Sequence, residues 1–361
     1  MKVLFFLPGL GNGGAERVFL SLNSFFKKNN IISQILCATR KGDLYTHINT
    51  NEIDFLDVNF GLLSFLKLKK YIDHLKPDVV VATLSSSIIS LAIAKILCRK
   101  NNIIYIARVA NILTKPFSVK EKIMFFLESY FINKYDLIIC NSNATKKSLE
   151  LFKVRKNIDI KVIYNPVIEK KYEEVKQIDL KKEKPVILTV GRLVEQKRID
   201  HTIRAFAKIR KKIGKGHLII IGNGILLSQI ESEISKNKIL KHTTIMPYHN
   251  NIPDLLKSVD CFINTSKYEG FGSIFIESIA YCKNTLAYES MGGASELLGP
   301  TNAILVPDGN EDILADKLYD ILIHSKNVGN ENKEYIQNFS KDKISLKYLN
   351  QIKKSYEKNS F

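Results

Sequence analysis

Short apolar runs alternate along the chain with longer segments in which apolar residues recur at helical spacing. Continuous runs of Val, Ile, Leu and Phe predict strands that are buried on both faces, as in a parallel sheet covered by helices. A first series lies at residues 2–7, 32–39, 78–84, 102–109, 136–142 and 161–167. A second series lies at residues 185–192, 217–224, 243–249, 260–266 and 284–290. Two successive series of strands and helices predict an α/β fold.

A polar stretch rich in Lys and Glu, from Glu169 to Lys184, separates the two series. The chain has 361 residues, which is long enough for two domains. We therefore predict two Rossmann-like domains that face each other across a cleft. The predicted boundaries are residues 1–170 for the first domain, 171–184 for a linker, 185–335 for the second domain and 336–361 for a C-terminal amphipathic helix.

The net charge of the chain narrows its possible partners. The charge is +18 at pH 7, and most of it falls in the first 170 residues. A basic protein favours phosphate-rich partners such as nucleotides, anionic lipids or nucleic acid, although simply solvated lysines would give the same count. The sequence lacks a zinc-knuckle, homeodomain or RNA-recognition signature, so we expect no nucleic acid partner.

Cysteine usage and hydropathy predict a cytoplasmic protein. The five cysteines are scattered and mostly lie within apolar segments, as reduced core residues do. No stretch reaches the roughly 18 apolar residues of a membrane-spanning helix. We therefore expect any membrane contact to be peripheral.

Two segments combine aromatic and aliphatic residues with lysines, namely residues 117–132 and 60–71. This combination is typical of a helix that lies in the interface of an anionic membrane. An ordinary core-facing helix is the alternative. The sequence favours the core-facing helix for residues 117–132 and leaves both interpretations open for residues 60–71.

The loop after the first run is rich in glycine. Gly9, Gly11 and Gly14 match the dinucleotide pattern GxGxxG, but the acidic residue expected at the end of the second strand is absent. Arg40 at that position leaves NADP binding as a remote alternative. A tight turn whose amides approach another phosphate is the simpler interpretation. The third interpretation is a glycine-rich loop that has no chemical role.

A pair of basic residues follows the first strand of the second series. Arg192 comes directly after that strand, and Lys197 lies five residues later, before a helix that Asp200 could cap. Two cations at the carboxyl end of a strand suit a diphosphate, since charge-assisted hydrogen bonds to phosphate are strong when sheltered from water. The alternative is that Arg192 and Lys197 are ordinary surface residues that bind no ligand.

Two carboxylates flank a glycine turn at residues 267–280. Glu269 precedes Gly270, Phe271 and Gly272, and Glu277 lies on the apolar helix that follows. The turn comes after a buried strand, where open α/β sheets bind ligands, and a helix N-terminus favours an anion. The carboxylates would then bind hydroxyl groups, so the element suits a nucleotide-sugar.

Several motifs together resemble the family 4 glycosyltransferases of the GT-B fold. They extend over the chain to about residue 325, and their order and spacing are specific. They are GGAER at 13–17, CNSNATKKSL at 140–149, IYNPV at 163–167, VGRLVEQKRIDHTIRAF at 190–206, the 269–277 element and GGASELL at 292–298.

The resemblance implies a retaining transferase that moves a sugar from a nucleotide donor, usually UDP-linked, to an acceptor hydroxyl. It implies that Arg192 and Lys197 neutralise the leaving diphosphate. Glu269 would contact the donor sugar and Glu277 the ribose. Gly13 and Gly14 would line the cleft from the acceptor domain. The C-terminal helix would pack back on the first domain.

The chain departs from the family at the end of the strand predicted at residues 102–109. Many members carry a His there, whereas this sequence has Arg108, Val109, Ala110 and Asn111. We expect Arg108 or Asn111 to supply the polar contact to the substrate. We expect neither a metal nor a cofactor, because the two cations replace a metal and no suggestive His/Cys cluster or DxD motif is present.

The expected acceptor is a lipid-linked saccharide at the inner membrane surface, as in the synthesis of O-antigen, capsule or similar polysaccharides. A nucleotide-sugar epimerase of the same architecture and a non-catalytic nucleotide-sugar-binding homologue are the alternatives. The epimerase would convert the donor without any acceptor. The binding homologue would have no reason to keep all four charged residues.

Overall fold

The computed structural model describes residues 1–11, 13–42, 52–98, 102–114, 118–169, 175–248, 251–324 and 332–359. The chain divides into two units, one made of Met1–Pro166 with Lys341–Phe361 and the other of Val167–Ser340. Each unit has a parallel sheet with a hydrophobic core on both faces. The predicted fold class of two Rossmann-like α/β domains is confirmed.

The first unit contains a seven-stranded parallel sheet in the order β3-β2-β1-β4-β5-β6-β7. Its strands are β1 Lys2–Leu7, β2 Ile32–Cys37, β3 Ile53–Phe55, β4 Val79–Thr83, β5 Ile104–Val109, β6 Leu137–Cys140 and β7 Asp159–Val162. Its helices are α1 Gly14–Lys28, α2 Leu62–Leu75, α3 Ser85–Leu97, α4 Val119–Phe131 and α5 Asn143–Ser148.

The second unit contains a six-stranded parallel sheet in the order β10-β9-β8-β11-β13-β15, and β12 and β14 form a separate parallel pair. Its strands are β8 Val186–Val190, β9 His217–Ile221, β10 Thr243–Met246, β11 Cys261–Asn264, β12 Tyr268–Glu269, β13 Thr285–Tyr288, β14 Met291–Gly292 and β15 Ile304–Val306. Its helices are α6 Ile199–Ile213, α7 Leu227–Lys236, α8 Ile252–Ser258, α9 Ser273–Tyr281, α10 Gly293–Leu298, α11 Glu311–Ile323 and α12 Lys333–Gln337.

Both sheets reverse their strand order next to their first strand. The reversal lies between β1 and β4 in the first unit and between β8 and β11 in the second. Loops diverge to opposite faces at such a switch point and leave a crevice at the carboxyl ends of the strands. Each unit therefore has a ready-made ligand position, and the glycine loop after β1 and the basic loop after β8 begin there.

Every predicted strand has a counterpart, although the one predicted at 161–167 lies earlier, at Asp159–Val162, and four short strands were missed. β3 and β15 are edge strands of three residues each, and β12 and β14 have two residues each. Segments this short bury too few side chains to produce a readable run in the sequence. They form because a neighbouring strand offers hydrogen-bonding groups, which only the assembled sheet provides.

The last helix, α13 Lys341–Asn359, belongs to the first unit. Ile344, Tyr348, Leu349 and Ile352 are buried in the core that also contains Phe19 and Leu22 of α1. The helical spacing noted in the sequence therefore marks the face that packs on the sheet. None of the described helices is both long and apolar enough to cross a membrane.

The described part of the predicted linker lies against the second unit. The backbone N–H of Lys176 donates to Asp254 Oδ1 at 2.9 Å, and that of Ile178 donates to Ser258 Oγ at 2.7 Å. Both acceptors are on α8. The unit boundary falls after Pro166, and residues 175–178 are held on α8 because its polar side chains bind their backbone. The linker at 171–184 stays a prediction.

A buried carboxyl group on α4 gives a pH-dependent prediction. Burial raises the pKa of Glu128 to about 6, and the hydrogen bond with Ser85 acts in the opposite direction. A raised folded-state pKa gives a stabilisation that is full below pH 4.5 and is lost as the pH rises through 6. The loss amounts to about 2 kcal/mol for a shift of this size.

We expect Glu128→Gln to remove this dependence. The free energy of unfolding of the variant, relative to wild type, should rise by about 2 kcal/mol between pH 4 and pH 7.5 in urea titrations. Glu150→Gln is the matched control, because Glu150 is exposed. A difference between Glu128→Gln and wild type that stays constant with pH would contradict the prediction.

Candidate active site

Lys197 and Glu269 meet at the switch point of the second sheet. They follow β8 and β11, which are neighbours in register, with Ile187 opposite Cys261. Lys197 Nζ donates to Glu269 Oε1 in an ion pair, and Ser266 Oγ donates to the same oxygen at 2.8 Å. The two side chains are only 13% and 10% exposed. The structure thus brings together a predicted cation and a predicted carboxylate that are 72 residues apart.

The position of Lys197 is fixed by its backbone and by a glycine. Its N–H donates to Val194 O at 2.9 Å, and its carbonyl accepts from Thr265 Oγ1 at 3.1 Å. A Cβ atom at Gly191 would lie 3.3 Å from the aliphatic stem of Lys197. The stem therefore runs along the bare backbone at Gly191, which directs the ammonium group to Glu269.

Arg192 lies at the carboxyl edge of the same sheet, with an exposed side chain. Its Nη2 donates to Gln196 Oε1 at 3.3 Å, and Gln196 in turn donates to Tyr268 O at 2.8 Å. Its neighbour Leu193 continues the sheet, since its N–H donates to Asn223 O at 2.9 Å. Arg192 is thus held on an ordered loop with its guanidinium accessible.

The backbone of Glu269 is set by two glycines in the next loop. Tyr268–Glu269 pairs with Met291–Gly292 as β12 and β14. Gly292 has a φ of +116°, and a Cβ atom there would collide with the carbonyl oxygen of Glu269. A Cβ atom at Gly293 would collide with the carbonyl of Phe271. The close approach of the two backbones therefore requires glycine at both positions.

The turn after Glu269 leads directly into α9. Gly272 has a φ of +78° and is the N-cap of the helix, which begins at Ser273. The side chain of Phe271 is only 2% exposed and lies 6.0 Å from the ring of Phe339, centre to centre. The ring of Phe271 therefore packs inside the second unit. Gly270 is buried next to it, and Glu277 lies one turn into α9, partly buried.

The glycine loop of the first unit surrounds a carboxylate of its own chain. Gly13 is the N-cap of α1, and Gly14 begins the helix with an exposed position. Glu16 is only 7% exposed, and its Oε1 lies 2.8 Å from where a Cβ atom of Gly11 would be. A carboxylate of the chain itself therefore lies against the glycine loop at the N-terminus of α1.

Arg108 does not serve as a substrate contact, which corrects one sequence prediction. Its side chain is fully buried in the first unit. Nε donates to Tyr348 Oη at 3.0 Å, Nη1 to Thr83 Oγ1 at 3.2 Å and Nη2 to Asn165 Oδ1 at 2.6 Å. The inward direction follows from strand alternation, since Ile104 and Ile106 face the same core. Asn111 is exposed just beyond β5.

Basic residues beyond Lys197 are engaged in ion pairs. Arg204 contacts Asp200, Glu233 and Glu311, and Arg198 contacts Asp308 at 2.7 Å. Asp200 therefore does not cap α6, whose N-cap is Arg198. Within the described ranges, no group of three or more His, Cys, Asp or Glu side chains is arranged to hold a metal ion.

Sequence reasoning missed Gln196 and Ser266, which hold Arg192 and Glu269 in place. Neither residue type signals a site by itself. The only available signal was their position within one or three residues of a predicted charged residue.

Comparisons with known proteins cover nearly the whole chain. A Campylobacter jejuni enzyme, the N-acetylgalactosamine-N,N'-diacetylbacillosaminyl-diphospho-undecaprenol 4-alpha-N-acetylgalactosaminyltransferase, is 26% identical over 96% of this chain and 99% of its own length. The uncharacterised glycosyltransferase MJ1059 of Methanocaldococcus jannaschii is 27% identical over 65% of this chain and 61% of its own length. The crystal structure of Anabaena HepE with UDP-glucose superposes with a TM-score of 0.82 at 18% identity, over 98% of this chain and 100% of HepE.

Two protein-family models match consecutive parts of the chain. The model described as Glycosyltransferase Family 4 matches residues 12–171, and the model described as Glycosyl transferases group 1 matches residues 170–342. The Lys197–Glu269 pair lies in the group 1 match, and the glycine loop around Gly13 lies in the family 4 match. The chain is therefore a glycosyltransferase that belongs to the group 1, family 4 glycosyltransferases of the GT-B fold.

Proposed function

We propose that this glycosyltransferase transfers a sugar from a UDP-sugar to a hydroxyl group of a lipid-linked saccharide, with retention of the anomeric configuration. The ion pair of Lys197 with Glu269, with Arg192 on the same loop after β8, is the observation that carries the proposal. It places a group suited to a diphosphate and a group suited to sugar hydroxyls at one point. The UDP-glucose bound by Anabaena HepE and the diphospho-undecaprenol in the name of the Campylobacter jejuni relative support the two substrate classes.

Charge assigns a role to each residue of the site. Arg192, Lys197 and the N-terminus of α9 would bind the diphosphate, because all three favour negative charge. Glu269 would accept hydrogen bonds from hydroxyls of the donor sugar, and Glu277 would accept them from the ribose. The backbone of residues 270–272 would approach the donor. Lys197 and Glu269 form an ion pair. The diphosphate bound by Lys197 and the sugar bound by Glu269 would therefore lie next to each other.

The transfer exchanges one bond at the anomeric carbon for another. The bond from that carbon to the phosphate oxygen breaks, and its electron pair stays on the diphosphate. The acceptor oxygen forms the new bond on the same face, and its proton passes to the departing phosphate oxygen. Arg192 and Lys197 would stabilise the charge that grows on the diphosphate, which is the part of the barrier that preorganised donors lower. They would thereby replace a divalent metal.

We propose that the acceptor is bound by the first unit, with Gly13, Gly14 and Asn111 as contact positions. Asn111 is exposed at the carboxyl end of β5, and Gly14 is exposed at the start of α1. An amide side chain and a helix start without side-chain bulk suit hydroxyl groups of a saccharide. Synthesis of a cell-surface polysaccharide such as O-antigen or capsule would use such an acceptor.

A thermal-shift screen of nucleotide-sugars tests the donor. A ligand at about 100 times its dissociation constant adds roughly 2.7 kcal/mol to the stability of the folded state. We expect a UDP-sugar to raise the melting temperature, and Arg192→Ala to weaken this shift while Lys208→Ala, a matched exposed cation, leaves it unchanged. A shift with reduced nicotinamide and with no nucleotide-sugar would contradict the proposal.

Incubation of that donor with and without a lipid-linked saccharide then tests the reaction. Release of UDP that depends on the acceptor, and that persists with EDTA, is the expected result. An altered UDP-sugar formed without acceptor would instead indicate an epimerase. Binding of the donor without any turnover would indicate a non-catalytic homologue.

A further inference from the structure

Helix α4 turns an apolar stripe to the solvent. The stripe consists of Val119, Ile123, Phe126 and Tyr130, which are spaced by four, three and four residues and so share one face. They are 73%, 56%, 70% and 53% exposed. In α4, all of whose residues are described, only Glu128 is buried. The core-facing helix that the sequence favoured is present, since Phe125 and Phe131 of α4 pack on the core, and the stripe lies on the opposite face.

The stripe is not needed to attach α4 to the fold. A different part of the helix performs that task, since the ring of Phe125 lies 4.9 Å from the ring of Phe152 and Phe131 packs on the same core. An amphipathic helix on a protein surface normally presents polar residues outward. Single exposed apolar residues are common, but four aligned along one helix face indicate an interaction surface.

Positive charge flanks the stripe at both ends. Lys120 and Lys122 are exposed at its start, and Lys134 Nζ lies 4.9 Å from the ring centre of Tyr130 at its end. Of the two carboxylates of the helix, Glu128 is buried and Glu121 is exposed in the helix cap, so three lysines face one exposed carboxylate. The exposed face of α4 thus combines apolar side chains with a basic border.

The first unit as a whole carries nearly all the charge of the protein. Its residues 1–166 and 341–361 contain 30 Lys and Arg against 14 Asp and Glu, a net of +16 out of +18. Helix α13 contributes to this excess by returning to the unit. α2, on the same face of the sheet as α4, adds the exposed Leu62, Leu63 and Leu66.

We propose that the α4 stripe docks on the surface of an anionic lipid bilayer, with the helix lying in the interface. Phe126 and Ile123 enter the acyl region, and Lys120, Lys122 and Lys134 remain among the anionic headgroups. A second copy of the chain is a poorer occupant, because two units of +16 repel each other and would bring these lysines together. The inference rests on the proposed function in one respect: binding to a membrane would bring the enzyme to a lipid-linked acceptor.

The absence of Trp from the sequence allows a direct test. Phe126→Trp places the only Trp of the protein in the stripe, and Leu240→Trp is the matched control at a 67% exposed site in the second unit. With vesicles of phosphatidylglycerol and phosphatidylcholine carrying brominated acyl chains, we expect emission from position 126 to shift to the blue and to be quenched. Emission from position 240 should not change.

Loss of binding is tested with Ile123→Ser combined with Phe126→Ser. We expect at least a tenfold lower partition coefficient in vesicle flotation, with no change in melting temperature because both side chains are exposed. Leu240→Ser should bind as wild type does. Lys120→Gln with Lys122→Gln should weaken binding to anionic vesicles several-fold.

Two results would overturn the inference. One is a Trp emission from position 126 whose wavelength and intensity do not change when the vesicles are added. The other is a blue shift without vesicles that depends on protein concentration, which would show that a second copy covers the stripe. The vesicles contain neither donor nor acceptor, so failure here leaves the transfer reaction to be decided by the UDP-release assay.

Discussion

Lys197→Ala and Arg192→Ala are each expected to lower turnover on the order of 10²-fold or more, as the loss of one donor to a developing oxyanion does. In the proposed mechanism both cations stabilise charge that grows on the leaving diphosphate, so the loss should appear mainly in kcat. The measurement is UDP release at saturating donor and acceptor.

The two variants should differ in stability. Lys197 is mostly buried against Glu269, so its removal leaves a carboxylate that is 10% exposed without its ion pair. Arg192 is exposed, and its removal leaves no buried group unpaired. We therefore expect a lower melting temperature for Lys197→Ala than for Arg192→Ala.

Lys208→Ala is the matched control for both variants. Lys208 also lies on the second unit and is ion-paired with Asp312 at 2.6 Å, but both side chains are well exposed and distant in sequence from the glycine turn. Its turnover should equal that of wild type. Near-normal turnover in purified Arg192→Ala and Lys197→Ala would rule out the assigned site.

Tyr348→Ala is expected to lower the free energy of unfolding by roughly 3–5 kcal/mol, the range measured for the removal of a large buried aromatic side chain. Tyr348 is fully buried on α13, and its Oη accepts from Arg108 Nε at 3.0 Å. The substitution therefore creates a cavity and leaves a buried guanidinium short of one partner. Tyr348→Phe keeps the ring and should cost about 1–3 kcal/mol through the lost hydrogen bond.

The neighbouring Lys347→Ala is the control, because Lys347 is exposed on the same helix. Urea titrations of the three variants give the comparison. Arg108→Met should likewise reduce stability while leaving the KM for donor unchanged in the folded enzyme. An Arg108 variant of normal stability with a raised KM would restore the original expectation that Arg108 contacts substrate.

The sequence predicted the second-unit site better than it predicted the first unit. Arg192, Lys197 and Glu269 could be placed because each follows a strongly apolar strand, and parallel strands bring their carboxyl ends to one edge. Their pairing could not be predicted, since it depends on β8 and β11 being neighbours in the sheet. The roles of Gly292 and Gly293 also appear only when the backbone of Glu269 lies against them.

Arg108 and α4 show what a local sequence pattern leaves undecided. A charged residue at the end of a strand usually reaches solvent. The docking of α13 supplies the buried partner Tyr348, which together with Thr83 and Asn165 holds Arg108 inside. The apolar residues of α4 recur at helical spacing whether they face the core or the solvent. The spacing therefore does not show which of them are buried. Which face meets the core is decided by what else is packed there.

The sequence by itself determined the two α/β series, their buried strands and the charged residues at the carboxyl ends, because periodicity and hydrophobicity are properties of a local segment. The tertiary structure alone decided the strand order, the meeting of Lys197 with Glu269, the burial of Arg108 and the outward stripe of α4. These features depend on contacts between residues far apart in the chain, and such contacts are fixed by the packing of whole elements on two sheets.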